Sequence, residues 1–157
     1  MRGSRIAGMG AYLPERVVTN SELAQLFNTT EQWIVERSGI RERRWAADGE
    51  GSAALGAQAA KRALQDAGWS IADVEFVIFA TLSPEHLFPG SGCYMQAMLE
   101  MGHVGVLDIR NQCSGFPYGL AVANALIACG QYSRILFVGA EAQAHCLQSS
   151  AAPPNMA

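Results

Sequence analysis

Cys113 stands between two contrasting patterns in the stretch DIRNQCSGFPYGLAVANALIACG, Asp108 to Gly130. Before it, Val104–Ile109 is a short apolar run of strand character. After it, Ser114–Cys129 is rich in Ala and Leu at helix length and stops at Gly130. In open α/β sheets, ligands meet the carboxyl ends of the strands. A helix N-terminus carries unpaired N–H groups and positive partial charge. A thiol placed there loses its proton more readily, and the thiolate is the nucleophile. The same N–H groups can hold the oxyanion that forms when an acyl carbonyl is attacked. Gly115 leaves the turn free of a side chain. The pattern nominates Cys113 as an acyl-accepting nucleophile on a joint like a nucleophile elbow, without the GxSxG sequence. The ordinary reading of a cysteine near a strand end, a small buried hydrophobe, stands beside this one. That ordinary reading is taken for Cys93, Cys129 and Cys146.

The elements that must position such a joint alternate along the chain. A first strand is predicted over Arg5–Tyr12, closed by Leu13-Pro14. Asn20 or Ser21 can cap a helix. A second short helix is predicted from Thr30, with Trp33, Ile34 and Val35 in it and Gly39 ending it. The arginine-rich Arg41–Arg44 follows, read as a solvated face or a modest basic patch for an acidic protein or a phosphate. Ser52–Ala67 has one apolar stripe at helical spacing and stops at Gly68. VEFVIFAT, Val74–Thr81, is apolar almost throughout, which suits a strand covered on both faces. Leu82–Gly92 is predicted as a loop, Cys93–Glu100 as a helix and Ile135–Gly139 as the last strand. Alternation of strand and helix predicts an α/β fold with a mostly parallel, mixed sheet and helices on both faces.

Composition narrows the function classes. The chain has 157 residues, half of them apolar and 16% charged, with a net charge of −3. That is enough for a domain with a real core and gives no basic footprint for nucleic acid. No apolar run reaches the roughly 18 residues of a membrane span. The opening MRGSRIAGMG lacks the apolar core of a signal peptide, so the cytoplasm is the expected location, with reduced thiols. The cysteines are spaced by 20, 16 and 17 residues, with no CxxC pair, so no metal site is expected.

Longer segments carry a specific resemblance. GAYLPERVVTNSEL, EQWIVERSGIRER, DVEFVIFATLSPEHLFPGSG, DIRNQCSGFPYGL and ILFVGAE occur in this order over nearly the whole chain. Together they resemble the N-terminal half of a β-ketoacyl-acyl-carrier-protein synthase III, of the thiolase superfamily. The resemblance implies a thiolase-like fold, of which residues 1–157 would be one α/β half of a five-layered α-β-α-β-α stack. It implies an enzyme that takes an acyl group from acyl-coenzyme A onto Cys113 and condenses it with a malonyl carrier protein, losing carbon dioxide. Acyl-coenzyme A is then a substrate, and no metal or redox cofactor is expected. By position, Cys113 matches the acyl-carrying cysteine and its backbone N–H an oxyanion donor. Trp33 and Arg37 match residues that hold the adenine end of coenzyme A, and Ser38 stands where threonine is common. Phe88 matches a dimer-interface residue that helps line the partner subunit's acyl pocket, so a homodimer is implied. Read alone, Trp33 is ordinary packing and Arg37 a solvated charge.

Two departures qualify the resemblance. The histidine and asparagine that complete the family's Cys-His-Asn triad have no counterpart here; they belong to a second half, expected on a complementary chain or lost by truncation. His86, His103 and His145 are read as structural, and Glu141 as non-catalytic. Asn111-Gln112 replaces alanines common before the cysteine, which leaves the acyl group open. The alternatives are a non-catalytic or truncated interaction subunit of the same type, or a related acyltransferase of specialised metabolism.

Overall fold

The apolar run after Val74 becomes the centre of a parallel sheet. In the structure, a computed structural model that describes residues 3–143, two units are distinguished: residues 3–12 with 50–141, and 13–49 with 142–143. In the first, β3 (Phe76–Ala80) lies between β4 (Gly105–Ile109) and β5 (Ile135–Gly139), parallel to both. The register pairs Phe79 with Asp108 and with Val138. Alternate residues therefore face opposite sides. Val77, Phe79, Leu136 and Val138 join one buried cluster with Ala53, Ala57, Ala60 and Leu64 of α3 (Ser52–Ala67) and Met95 of α4 (Ser91–Met98). The other face meets α5 (Gly115–Ala128), where Phe137 stacks obliquely on Phe116 at 5.2 Å and abuts Gly119. Helices thus cover both faces, as VEFVIFAT requires. The three strands described are parallel throughout.

The helix α3 matches its predicted bounds, and Gly68 ends it in the left-handed conformation at φ 68°. The helix α4 starts two residues earlier than Cys93. A short 3₁₀ turn, Ile71–Asp73, enters β3, closed by a reciprocal Ser70–Asp73 cap.

The predicted strand over Arg5–Tyr12 does not form. Its residues run extended along α3 with other partners. The Met9 N–H donates to the Asp66 carboxylate at 2.9 Å, and Arg62 donates to the Ala11 carbonyl at 2.6 Å. Gly8 and Gly10 permit this approach: a Cβ on Gly10 would lie 2.3 Å from the Ala63 nitrogen and 2.4 Å from the Ala59 oxygen. Side-chain groups of α3 take the polar partners that a neighbouring strand would otherwise supply.

The second unit holds an antiparallel pair that the sequence reading passed over, β1 (Arg16–Thr19) with β2 (Glu42–Trp45). Between them lie α1 (Asn20–Leu26) and α2 (Glu31–Ser38). Thr19, not Asn20 or Ser21, caps α1; the buried Asn20 side chain instead ties Ile40 and Arg43. Thr30 caps α2, and Gly39 ends it at φ 71°. The arginines expected to be a wet face are partly committed: Arg43 donates to the Val18 carbonyl and Asn20, and Arg44 to the carbonyls of Pro14 and Glu15. Three consecutive charged residues, Glu42–Arg44, hid β2.

Of α5, only Gly115 and Gly119 are buried, whereas Phe116, Tyr118 and Leu120 are exposed. The helix carries no charged residue. A helix apolar all round belongs in an interior.

Gly10→Ala is expected to destabilise the chain by about 1–3 kcal/mol, because backbone, not a flexible side chain, occupies the added methyl's space. A urea midpoint equal to the wild type would contradict this packing.

Candidate active site

The residue before the cysteine decides how it is displayed. Gln112 has φ 45°, one of two non-glycine residues at positive φ among those described. The left-handed region costs an L-residue roughly 1–2 kcal/mol. Gln112, Cys113 and Ser114 form a 3₁₀ turn, closed by the Ser114 N–H on the Asn111 carbonyl at 3.0 Å. The helix α5 begins immediately after, at Gly115. Cys113 is therefore one turn before a helix N-terminus and past the carboxyl end of β4, and it is solvent-exposed. A buried small hydrophobe is not what stands at this position. Gly115 is buried at the end of β3, where an added Cβ would lie 3.2 Å from that of Ala80. The glycine lets the helix start close against the sheet.

Because the strands are parallel, their carboxyl ends share one edge, and the loops there are fastened by carboxylates. Glu141, just past β5, accepts from the N–H groups of Leu82 (2.7 Å) and Ser83 (3.0 Å) and from the Ser83 hydroxyl (2.6 Å). Glu85 accepts from the hydroxyls of Ser52 (3.0 Å) and Ser91 (2.6 Å) and from the Ala53 N–H. Asp108 of β4 accepts from the Gly92 N–H at 2.9 Å. Glu85 and Asp108 thereby cap α3 and α4, whose own N-cap residues, Gly51 and Gly90, have no side chain to do so. A Cβ on either glycine would lie 2.3 Å from the capping carboxylate's side chain. For Glu85, burial pushes the carboxyl's pKa upward, but its hydrogen bonds from Ser91, Ala53 and Ser52 win, holding it below the ordinary value. The sequence reading took Glu141 as structural and missed the two caps, Glu85 and Asp108. The available signal was a glycine where a helix start calls for Ser, Thr, Asp or Asn.

The remaining expected site residues fall as follows. Phe88 lies on the 82–90 loop and is 84% exposed, beside Leu87 at 75%. Trp33, Arg37 and Ser38 belong to the second unit, on exposed positions of α2; Trp33 is 56% exposed. Trp33 and Arg37 are four residues apart and so share one face of the helix. Ser38 turns its hydroxyl inward, donating to the Ile34 carbonyl at 2.7 Å and accepting from the Ile40 N–H at 3.2 Å. His103 lies two residues before β4, at the opposite end of the strand from Cys113. His86 packs its ring on Tyr94 at 4.5 Å. Cys146 and His145 lie outside the described residues. Among the described residues, no cluster of three or more His, Cys, Asp or Glu could hold a metal ion, and no helix is long and apolar enough to cross a membrane.

Known proteins share both the sequence and this geometry. Residues 107–151 match the family model for 3-oxoacyl-[acyl-carrier-protein] synthase III. A β-ketoacyl-[acyl-carrier-protein] synthase III of Paramagnetospirillum magneticum is 47% identical over 138 residues, 88% of this chain and 43% of that protein. The crystal structure of the Aquifex aeolicus synthase III superposes with a TM-score of 0.86 at 40% identity, over 91% of this chain and 46% of that one. The priming β-ketosynthase of the R1128 polyketide pathway gives 0.83 at 33% identity, over 88% of this chain and 41% of that one. Fold and cysteine turn thus define a thiolase-like α/β protein. Within that class the chain is similar to the β-ketoacyl-acyl-carrier-protein synthase III proteins, and it spans less than half the length of the relatives it matches.

Two measurements test the site's physics. Gln112→Gly removes the positive-φ strain and should raise stability by up to about 1 kcal/mol, after the added flexibility of the unfolded chain is offset. A lowered urea midpoint would show that Gln112 is not strained. For Glu85, the folded pKa lies below the ordinary 4.5. Its stabilising effect is therefore complete above that value and lost as pH falls through the lower one. The midpoint difference between wild type and Glu85→Ala should narrow below pH 4.5; a difference constant from pH 7 to 3 would refute the charged cap.

Proposed function

We propose that this chain is the cysteine-bearing part of an acyl-loading, carbon–carbon-bond-forming enzyme of the synthase III type. The observation that carries the proposal is Cys113, exposed on a strained turn between the end of a parallel strand and the start of a helix. In this reading the Cys113 thiolate attacks the carbonyl of an acyl-coenzyme A. A new S–acyl bond forms, the old one breaks, and coenzyme A leaves as a thiolate that takes up a proton. A malonyl thioester on a carrier protein then loses carbon dioxide. The resulting enolate carbon attacks the acyl-cysteine carbonyl, forming the C–C bond and freeing the Cys113 thiolate. The N–H groups at the start of α5 suit the oxyanion of each step.

Trp33 and Arg37 suit the other end of coenzyme A. A ring and a cation on one exposed helix face offer stacking to a purine and charge to phosphate. Ser38, with its hydroxyl committed to its own helix, serves that face through backbone shape. Phe88 is proposed to meet a second copy of the chain and line its acyl pocket. The apolar outer face of α5 suits packing against the further residues that relatives possess, which would supply the histidine and asparagine of the condensation step. The chemistry needs no metal or redox cofactor. A cytoplasmic setting goes with it, since Cys113 acts only when reduced.

Intact-mass spectrometry after incubation with mixed acyl-coenzyme A donors tests the reading. Wild type should gain one acyl mass on Cys113, and Cys113→Ala none, with unchanged circular dichroism. An acyl adduct that persists in Cys113→Ala would overturn the assignment.

A further inference from the structure

The 82–90 loop is fixed at both ends and displays two apolar side chains between the fixings. At its start, Glu141 takes the Leu82 and Ser83 N–H groups. At its far end, Asp108 takes the Gly92 N–H. In its middle, Glu85 reaches back to two hydroxyls that are almost wholly buried, Ser52 at 0% and Ser91 at 1% exposure, and to the Ala53 N–H. The two hydroxyls lie 3.3 Å apart and share one oxygen of Glu85. Two residues after this anchor, Leu87 begins the exposed pair and Phe88 completes it. The chain two residues before them is thus tied to α3 and α4 through the Glu85 side chain.

We infer that Glu85 is a positioning residue that sets where Leu87 and Phe88 are presented, and through Phe88 the acyl-chain selectivity of the enzyme. The inference rests on the proposed acyl-loading function and on Phe88 lining an acyl pocket. Its physical content is that of preorganisation: a pocket wall held by three hydrogen bonds discriminates chain length, and a loose wall adapts to any chain. Glu85 touches neither the cysteine turn nor any reacting atom, so its removal should alter selectivity and leave the nucleophile alone. Gly51 is part of the same device, because a methyl there would lie 2.3 Å from the Glu85 Cγ and Oε1 and displace them.

The test uses the chain as purified, with any polypeptide that accompanies it, in four forms: wild type, Glu85→Ala, Glu85→Gln and Gly51→Ala. Three quantities are read: hydrogen exchange of the 82–90 amides, the distribution of acyl masses on Cys113 from an equimolar set of short to long acyl-coenzyme A donors, and the rate of Cys113 alkylation by iodoacetamide. For Glu85→Ala, exchange across 82–90 should rise at least about tenfold, the size expected for losing even one of the three charge-assisted hydrogen bonds. The ratio of long to short adducts should shift by several fold, on the order of 1 kcal/mol in discrimination, with alkylation unchanged. Glu85→Gln, which can still accept from Ala53 and bond the hydroxyls, should restore both. Gly51→Ala leaves the loop's sequence intact and should reproduce the Glu85→Ala shifts even if that variant fails to fold. Faster loop exchange with an unmoved acyl distribution would overturn the positioning role while the acyl-loading function stands. An absence of any adduct on wild type would overturn that function, and this inference with it.

Discussion

Parallel strands bring all their carboxyl ends to one edge, and every loop leaving that edge must find acceptors for its backbone N–H groups. This constraint organises the first unit. The chain meets it with three carboxylates drawn from three places: Glu85 from the loop after β3, Asp108 from β4 itself, and Glu141 from beyond β5. Each accepts at least one backbone N–H remote in sequence, from 16 residues for Asp108 to 59 for Glu141. A carboxylate suits the task because bonds to an ionised acceptor are stronger than neutral ones, and helix N-termini favour negative charge. The same edge carries Cys113.

This arrangement explains which parts of the fold were legible in the sequence. Ser52–Ala67 and Ile135–Gly139 carry their bounds locally, in an apolar stripe ended by Gly68 and in a short run of strand-forming residues, and both were read correctly. Arg5–Tyr12 was misread because a strand needs a neighbour as well as a pattern. Its glycines are there so that it can lie on α3, and glycine spacing alone does not say which surface a segment will approach. The ERRW strand was missed for the opposite reason: its arginines bond backbone carbonyls across the ribbon, so a segment that reads as charged loop is half-buried structure.

At the candidate site, residue type was legible and geometry was not. The sequence indicates that Cys113 lies between a strand and a helix. It gives no sign that Gln112 takes a positive φ, since the position lacks the glycine or asparagine that usually marks such a turn. Nor does it reveal the remote caps. Gly51 and Gly90 read as weak helix starts when each helix is considered alone. They become sensible once the cap comes from elsewhere, because a side chain there would exclude it.

The glycine caps and the strained Gln112 share one physical logic. A helix capped by its own first residue is stable wherever it is placed; a helix capped from outside is stable only when its neighbour is in position. By giving up local caps at α3 and α4, the chain couples their starts to the loop between β3 and α4 and to β4, the strand that leads into the cysteine turn. The stored strain at Gln112 requires such support, since a non-glycine residue persists at positive φ only when its surroundings over-determine the backbone. Asp108 ties the start of α4 to β4, and the Asn111–Ser114 turn follows that strand. Local stability has thus been exchanged for mutual dependence at the edge of the sheet that carries Cys113.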